Sequence, residues 1–310
     1  MVTLSLRVLS HSTAIEPLFD LPTTRGTIQS VFPRAANLLL GGRLLTLQAR
    51  ETPCAPNGIV LALRASQKPL ANLQPEMAFF VERGVLSIPA LSLRLSLQQS
   101  QPWSPRPSLA PASCPPECLI HNLAVLETIL AAHAPADGLA ALALQRAGSS
   151  ENGAKPSLLV QTAWEAAQGL LEGAAQEQLS LLRKSATTLI GLGPGLTPAG
   201  DDVLIGFIAA TLLLSQAIGQ HAALYQRFSA EVLALACTRT NKLSLTWMEY
   251  AGRGEVAEHL GRLFHALVLD TTRALEHAAL EVLNSGATSG ADLLAGIILG
   301  GRCLVAPSSK

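Results

Sequence analysis

Aromatic side chains are scarce in this chain, at 4% of residues, while hydrophobic residues make up 49%. The core must therefore be aliphatic, built mostly from Leu, Ala, Val and Ile. Charge is equally thin: Asp, Glu, Lys and Arg together reach 14%, against roughly a quarter in an average soluble domain. So low a charge on so Leu- and Ala-rich a chain implies that another subunit covers part of the surface. Neither sign is in excess, with 22 Lys plus Arg and 22 Asp plus Glu. That balance excludes the broad basic field that would draw nucleic acid or anionic lipid, so any bound anion must be held by a local site.

Cysteines are few, odd in number and scattered: Cys54, Cys114, Cys118, Cys237 and Cys303. Only Cys114 and Cys118 lie close, and Pro115 and Pro116 make a loop between them. With no second close pair there is no zinc framework to argue, and free thiols in a reducing cytoplasm are the plainer interpretation. The histidines (His11, His121, His133, His221, His259, His265 and His277) show no ligand spacing, and no Ser/His/Asp or Cys/His nucleophile arrangement can be built. The N-terminal MVTLSLRVLSHS lacks a charged leader followed by a long apolar run, so no signal peptide is expected. The strongest apolar run, Val203 to Leu214, is about half a bilayer span and starts beside two aspartates, which marks a buried core helix. A soluble cytoplasmic protein with no nucleic-acid or membrane partner is expected.

The chain of 310 residues can bury a sizeable core as one large domain or two small ones. Residues 1–100 carry short runs, LSLRVLS, RLLTLQAR, GIVLALR and LSLRLSLQ, punctuated by Pro, Gly and Asn. Leu91, Leu93, Leu95 and Leu97 alternate with Ser92, Arg94, Ser96 and Gln98, the period of a half-buried strand. Asn57-Gly58 is a turn signal. A β-rich barrel or sandwich is expected here, followed by a Pro- and Ser-rich linker over 101–118. Residues 119–310 read as a helical domain, giving an α+β chain. Its helices are expected near 119–134, 139–147, 157–172, 174–189, 201–218, 222–239, 243–251, 255–283 and 289–300, with a loop at Gly148–Pro156. One internal echo stands out: Gly200, Asp202, Leu204, Gly206 and Ile208 repeat at the spacing of Gly290, Asp292, Leu294, Gly296 and Ile298. Two alike functional helix starts, or two ordinary packed helix N-termini, would both produce it.

The densest chemistry lies in Gly191–Gly206, GLGPGLTPAGDDVLIG. Glycine admits positive φ and lets backbone approach a ligand. Thr197-Pro198 supplies an N-cap hydroxyl and a proline at the first helical position. A glycine loop entering a helix N-terminus is suited to an anion, because unpaired N–H groups and the helix dipole coincide. No Lys-Ser/Thr follows the last glycine, and the glycine spacing is not that of a dinucleotide fold. Gly193, Gly195, Leu196 and Gly200 are the candidate backbone contacts. Asp201 and Asp202 conflict with an anion. They serve the helix N-terminus, hold a divalent cation (Mg2+, with Asp202 the candidate ligand), or accept hydrogen bonds from a substrate NH2 group. Side chains on adjacent helical residues diverge by about 100°, so one acid is expected in the site and the other as a cap. Further candidates are Arg34 and Asn37; the polar patch Thr240, Asn241, Lys242 and Ser244; and Ser289 with Asp292 at the echoing helix start.

The segment GLGPGLTPAGDDVLIG, with FPRAANLLLGGRLLTL, the stretch Thr240 to Gly252 and SGADLLAGIILG, resembles the AllH family, which includes a subunit of the oxamate carbamoyltransferase complex of allantoin catabolism and hence of purine degradation. The resemblance implies a subunit that works with companion proteins on a small anionic substrate, converting oxalurate and phosphate into oxamate and carbamoyl phosphate. It implies that the N–H groups of Gly193 to Leu196, with Thr197, hold phosphate or a developing oxyanion. Asp201 or Asp202 would then orient the amide, and Arg34 would clamp the carboxylate. Ala199 stands where the family motif is expected to carry a serine. A non-catalytic metabolite-binding or scaffolding subunit and a stand-alone Mg-dependent enzyme are the alternatives.

Overall fold

A computed structural model of the chain describes residues 4–20, 22–144, 157–220, 222–269 and 272–306. The chain divides into two compact units, Met1–Arg106 with Val256–Glu258, and Pro107–Glu255 with His259–Lys310.

The first unit carries β1 (Leu4–Ser12), α1 (Glu16–Phe19), β2 (Thr24–Val31), β3 (Ala35–Leu40), β4 (Arg43–Gln48), β5 (Gly58–Leu61), β6 (Ala78–Glu82), β7 (Val85–Ile88), β8 (Leu93–Ser96) and β9 (Gln101–Trp103). Neighbours run β5-β4-β3-β2-β6-β7-β8-β1, and β1 pairs back onto β5. The ring closes as an eight-stranded barrel, with β9 alongside β1. Closure settles barrel over sandwich, and a barrel of this size is just wide enough to be filled by side chains. The filling is aliphatic, as composition requires, with Ile28, Leu38, Leu45, Ile59 and Leu95 wholly buried around Phe79. Gly26 makes room for that ring: a Cβ there would lie 2.2 Å from Phe79 Cζ. The period-2 leucines behave as expected in β8 and just beyond, where Leu93, Leu95 and Leu97 are buried. Leu91 falls in a 3-10 turn instead.

Two features of this unit differ from expectation. Asn57-Gly58 does close a turn, the Gly58 N–H donating to the Ala55 carbonyl, but it leads into β5, which runs parallel to β4, so no hairpin forms there. Asn57 is buried and donates to the Leu44 carbonyl, while a Cβ on Gly58 would meet Gln48 Oε1 at 2.2 Å. The tight hairpins lie elsewhere, at Gly41-Gly42 and Arg83-Gly84, each with positive φ at both central positions. That is the geometry a two-residue turn needs to match strand twist. The 101–118 stretch is also more regular than a linker. Gln101–Trp103 pairs with Ser10–Ser12 as β9, the units divide at Arg106, and Pro116 opens a helix. Proline is compatible with both places, since an edge strand and a first helical turn each leave an N–H unused.

The second unit holds α2 (Pro116–His133), α3 (Leu158–Ala175), α4 (Leu179–Leu189), α5 (Ala199–Ala217), α6 (Ala223–Ala236), α7 (Lys242–Ala251), α8 (Glu258–Leu269), α9 (Thr272–Leu283) and α10 (Ser289–Val305). The helix expected at 139–147 is, among the described residues, only a 3-10 turn at Ala140–Leu142. The long helix expected at 255–283 is the pair α8 and α9. The loop expected at Gly148–Pro156 lies outside the described residues. By length and composition α5 could cross a bilayer, but 89% of its apolar window is buried inside the protein, as a core helix requires.

The echo between the two glycine-containing helices has a structural cause. A Cβ on Gly206 would lie 2.2 Å from the Leu293 carbonyl oxygen, and one on Gly296 would lie 2.0 Å from that of Val203. Each glycine thus seats itself on the carbonyl three residues before the other. Further along, Gly300 meets the Phe207 carbonyl, so the helices run parallel and their N-termini lie at the same end. The first glycine of each set repeats the device. Gly200 abuts the Leu189 carbonyl at the end of α4, and Gly290 abuts that of Val282 near the end of α9. Gly296→Ala is expected to destabilise the protein by about 3 kcal/mol or more, because the obstacle is backbone and cannot swing aside. Urea unfolding measures this; a variant within about 0.5 kcal/mol of the parent, the range of an ordinary surface substitution, would show that the helices part without strain.

Candidate functional site

The sequence after α4 turns through three left-handed glycines, Gly191, Gly193 and Gly195, with φ of +73°, +108° and +107°. Side chains would be strained at each, and at Gly191 a Cβ would also lie 2.5 Å from the Arg239 carbonyl oxygen. Pro194, Gly195 and Leu196 are exposed. Among the described residues, the N–H groups of Gly193, Gly195, Leu196 and Thr197 donate to no protein acceptor. These donors sit directly before α5, whose aligned peptides place positive potential at the same end.

The residue capping α5 is Pro198, with no side-chain cap bond. The Thr197 hydroxyl, expected to cap, faces α10 as well as α5: it lies 3.0 Å from Asp202 Oδ2 and 3.0 Å from Ser289 Oγ. Convergence of two parallel helix starts is what brings Thr197, Asp202 and Ser289 together.

The two adjacent acids are both buried and have different partners. Asp201 accepts from the Gly191 N–H at 2.8 Å through one oxygen and from the Thr240 hydroxyl through the other. It thereby ties the glycine loop to the turn before α7. Asp202 has only hydroxyls about it. Burial pushes its pKa up to about 8, reinforced by Asp292 and Asp201 and opposed by the hydrogen bonds of Ser289 and Thr197. At neutral pH it is therefore mostly protonated. Asp292, in the first turn of α10, accepts from the Leu139 N–H at 2.5 Å, while its second oxygen is buried without a partner. Burial raises it to about 6, against the hydrogen bonds of the Leu139 N–H and the Thr288 hydroxyl. Gly138 fits against this carboxylate because a Cβ would stand 2.8 Å from Asp292 Oδ1.

Of the remaining candidates, Asn241 caps α7, accepting from the Leu243 and Ser244 N–H groups, and donates to the Leu196 carbonyl at 2.9 Å. It positions the loop. Ser244 is wholly buried and its hydroxyl has no partner. Gly200 is buried against α4. In the barrel unit, Arg34 is exposed at the β2–β3 turn. Asn37 is buried, donating to Ser30 and accepting from Thr46.

Residues 189–301 match the family described as oxamate carbamoyltransferase subunit AllH, and residues 7–102 match the AllH family N-terminal domain. The chain belongs to the AllH family. The two matched regions fall on the helical unit that holds the glycine loop and on the strands of the barrel. No solved structure matches the chain.

In this AllH-family chain Ala199 opens α5 and packs near Gly193, so no hydroxyl is offered from that position. Residues outside the candidate set also hold the site. Gly138 with Leu139 packs on Asp292, while Thr240, from the candidate polar patch, anchors Asp201. Only the Asp137-Gly138 turn signal could have pointed to Gly138 and Leu139, and nothing local links it to residue 292. Among the described residues no group of three or more His, Cys, Asp or Glu side chains is placed to hold a metal ion. No such group includes Asp202, the candidate Mg2+ ligand.

The raised acids fix how stability depends on pH. Each holds its proton more tightly folded than unfolded, where its ordinary value is 3.8. The folded state therefore binds more protons between about pH 4 and pH 8, and stability falls as pH rises through that window. The thermal midpoint is expected to drop between pH 5 and pH 9. In Asp202→Asn the drop between about pH 6 and pH 8 should vanish, while the drop below pH 6 that Asp292 contributes remains. Identical profiles in parent and variant would contradict the assignment.

Proposed function

We propose that this chain is the subunit of a carbamoyltransferase assembly that holds an anionic group of the substrate on the Gly193–Thr197 loop. The observation that carries this is the run of unpaired N–H groups at the start of α5, set against a mostly protonated acid rather than a charged one. In the full reaction we propose, phosphate adds to the carbamoyl carbon of oxalurate and the bond from that carbon to the amide nitrogen breaks. The phosphate proton ends on that nitrogen, giving oxamate and carbamoyl phosphate. Negative charge develops on the carbamoyl oxygen as phosphate adds. Backbone N–H groups already fixed by Asp201 and Asn241 can stabilise it without reorganisation. No covalent nucleophile is needed, since holding two reactants in register supplies much of the barrier reduction. Companion subunits, cytoplasmic residence and a place in allantoin breakdown belong to the same proposal, as does a carboxylate clamp by Arg34.

In the assembled complex, Thr197→Ala is expected to lower kcat by roughly 10²-fold, the scale of a small misplacement of the loop that its contacts with Asp202 and Ser289 hold. Steady-state turnover of oxalurate with phosphate, or of the reverse reaction, measures it. If turnover is unchanged in Thr197→Ala and in Asp202→Asn, the subunit binds or scaffolds without taking part in the chemistry.

A further inference from the structure

At the end of α5 away from the glycine loop, two thiols meet. Cys114 is 2% exposed in the turn before α2, and Cys118, half-buried, lies in the first turn of that helix. Both are free thiols, and their side chains are hydrogen-bonded to each other. Backbone contacts hold each of them in place. The Cys114 N–H donates to the carbonyl of Ala217, the last residue of α5, at 3.0 Å, and the Cys118 N–H donates to the Pro115 carbonyl at 3.0 Å. Between them stand Pro115 and Pro116, whose rings fix φ at about −65°, so the intervening segment has little freedom left to lose. A disulfide here asks only that two sulfurs already in contact lose their protons and close to about 2 Å.

The two sulfurs differ in exposure and in what holds the proton. Cys118 accepts from the Asn122 amide at 3.7 Å, and that amide is itself anchored on the Leu267 carbonyl at 2.9 Å. Its partial exposure makes it the sulfur that a small solute meets first. Burial, then the charge and the hydrogen bond of Cys118, push the Cys114 thiol up to about 11, against the Leu119 N–H. Cys118 itself therefore helps to keep Cys114 protonated. Once Cys118 is bonded to another sulfur it carries neither charge nor S–H, and Cys114 is released toward its ordinary value. The other cysteines lack this arrangement. Cys54 and Cys303 are each pushed up to about 12, burial being the first cause, and no second thiol is among the groups that act on either. Cys237 is exposed and donates to the Leu233 carbonyl at 3.1 Å.

We propose that Cys114 and Cys118 form a reversible thiol–disulfide pair, with Cys118 the attacking sulfur, Cys114 the resolving one, and a small disulfide such as oxidised glutathione the oxidant. Cys118 loses its proton and its sulfur bonds to one sulfur of the oxidant; the oxidant's S–S bond breaks, and the departing glutathione takes up a proton. Cys114 then loses its proton and bonds to the Cys118 sulfur; the bond from Cys118 to glutathione breaks, and the second glutathione leaves as a thiol. Two protein thiols are oxidised to one disulfide while one glutathione disulfide is reduced to two thiols, and the protons balance. This pair stands independently of any anion at the glycine loop.

The test equilibrates the reduced full chain, natively folded at neutral pH, in glutathione buffers of rising oxidised share, followed by acid quenching, alkylation and peptide mass mapping. A Cys114–Cys118 disulfide within one chain is expected at an oxidised share about tenfold lower than the one that half-modifies Cys237, because the resolving thiol is already in contact. Cys54 and Cys303 should stay reduced. Cys114→Ser should trap glutathione on Cys118, and in Cys118→Ser the buried Cys114 should stay reduced. A parent chain in which both thiols remain free while Cys237 is modified, or in which Cys118 accumulates glutathione without closing on Cys114, would overturn the pair. Modification of Cys114 in Cys118→Ser to the extent seen in the parent would overturn the assignment of attacking and resolving sulfur. Mapping of the parent needs no variant, so a poorly folding serine variant does not remove the test.

Discussion

The helical unit depends on one constraint, the close parallel contact of α5 with α10. Parallel helices bring like ends together, so the positive ends of two dipoles meet instead of cancelling. The contact is possible because Gly206 and Gly296 each present bare backbone to the carbonyl of the other helix. Larger residues at either position would hold the axes apart, and Thr197 could no longer touch both Asp202 and Ser289. The apolar flanks of both helices then bury this junction, which explains why a chain with so little charge places three carboxylates within it.

Burial divides the labour among those acids. Asp201 is satisfied by an amide and a hydroxyl, and works as a staple between the glycine loop and α7. Asp202 has hydroxyls alone and two acidic neighbours, so the cheaper solution is to keep its proton. The apparent contradiction between an anion-suited loop and a pair of acids disappears once one acid is committed to structure and the other is neutral.

The barrel solves a separate problem with the same economy of aromatic residues. Closing the β1–β5 ladder removes the exposed edges that an open sheet would offer for unwanted pairing. Its two-residue turns sit where Gly41, Gly42 and Gly84 permit left-handed backbone, and Gly26 gives up its side chain so that Phe79 can fill the centre. Membership of the AllH family assigns both units to one kind of protein, a subunit of a multisubunit carbamoyltransferase.

The amino-acid sequence by itself determined the order of the chain: strands then helices, an aliphatic core, a buried α5 and a glycine loop at its start. These follow from local periodicity and from the conformations open to Gly and Pro, properties that neighbours in sequence carry. It also displayed the glycine–aspartate echo, though not its cause, because spacing cannot distinguish a ligand-facing glycine from one pressed against a distant carbonyl. Only tertiary structure decided that Asn57-Gly58 precedes a parallel strand, that residues 101–103 join the sheet, and that Asn241 holds the loop. The same is true of the acids. Asp201 and Asp202 are adjacent and chemically identical in sequence. One finds the Gly191 amide and the Thr240 hydroxyl, the other the junction with Ser289, and those partners lie up to 87 residues away along the chain. Protonation is set by burial and by what lies across the helix contact, and neither is a property of the local chain.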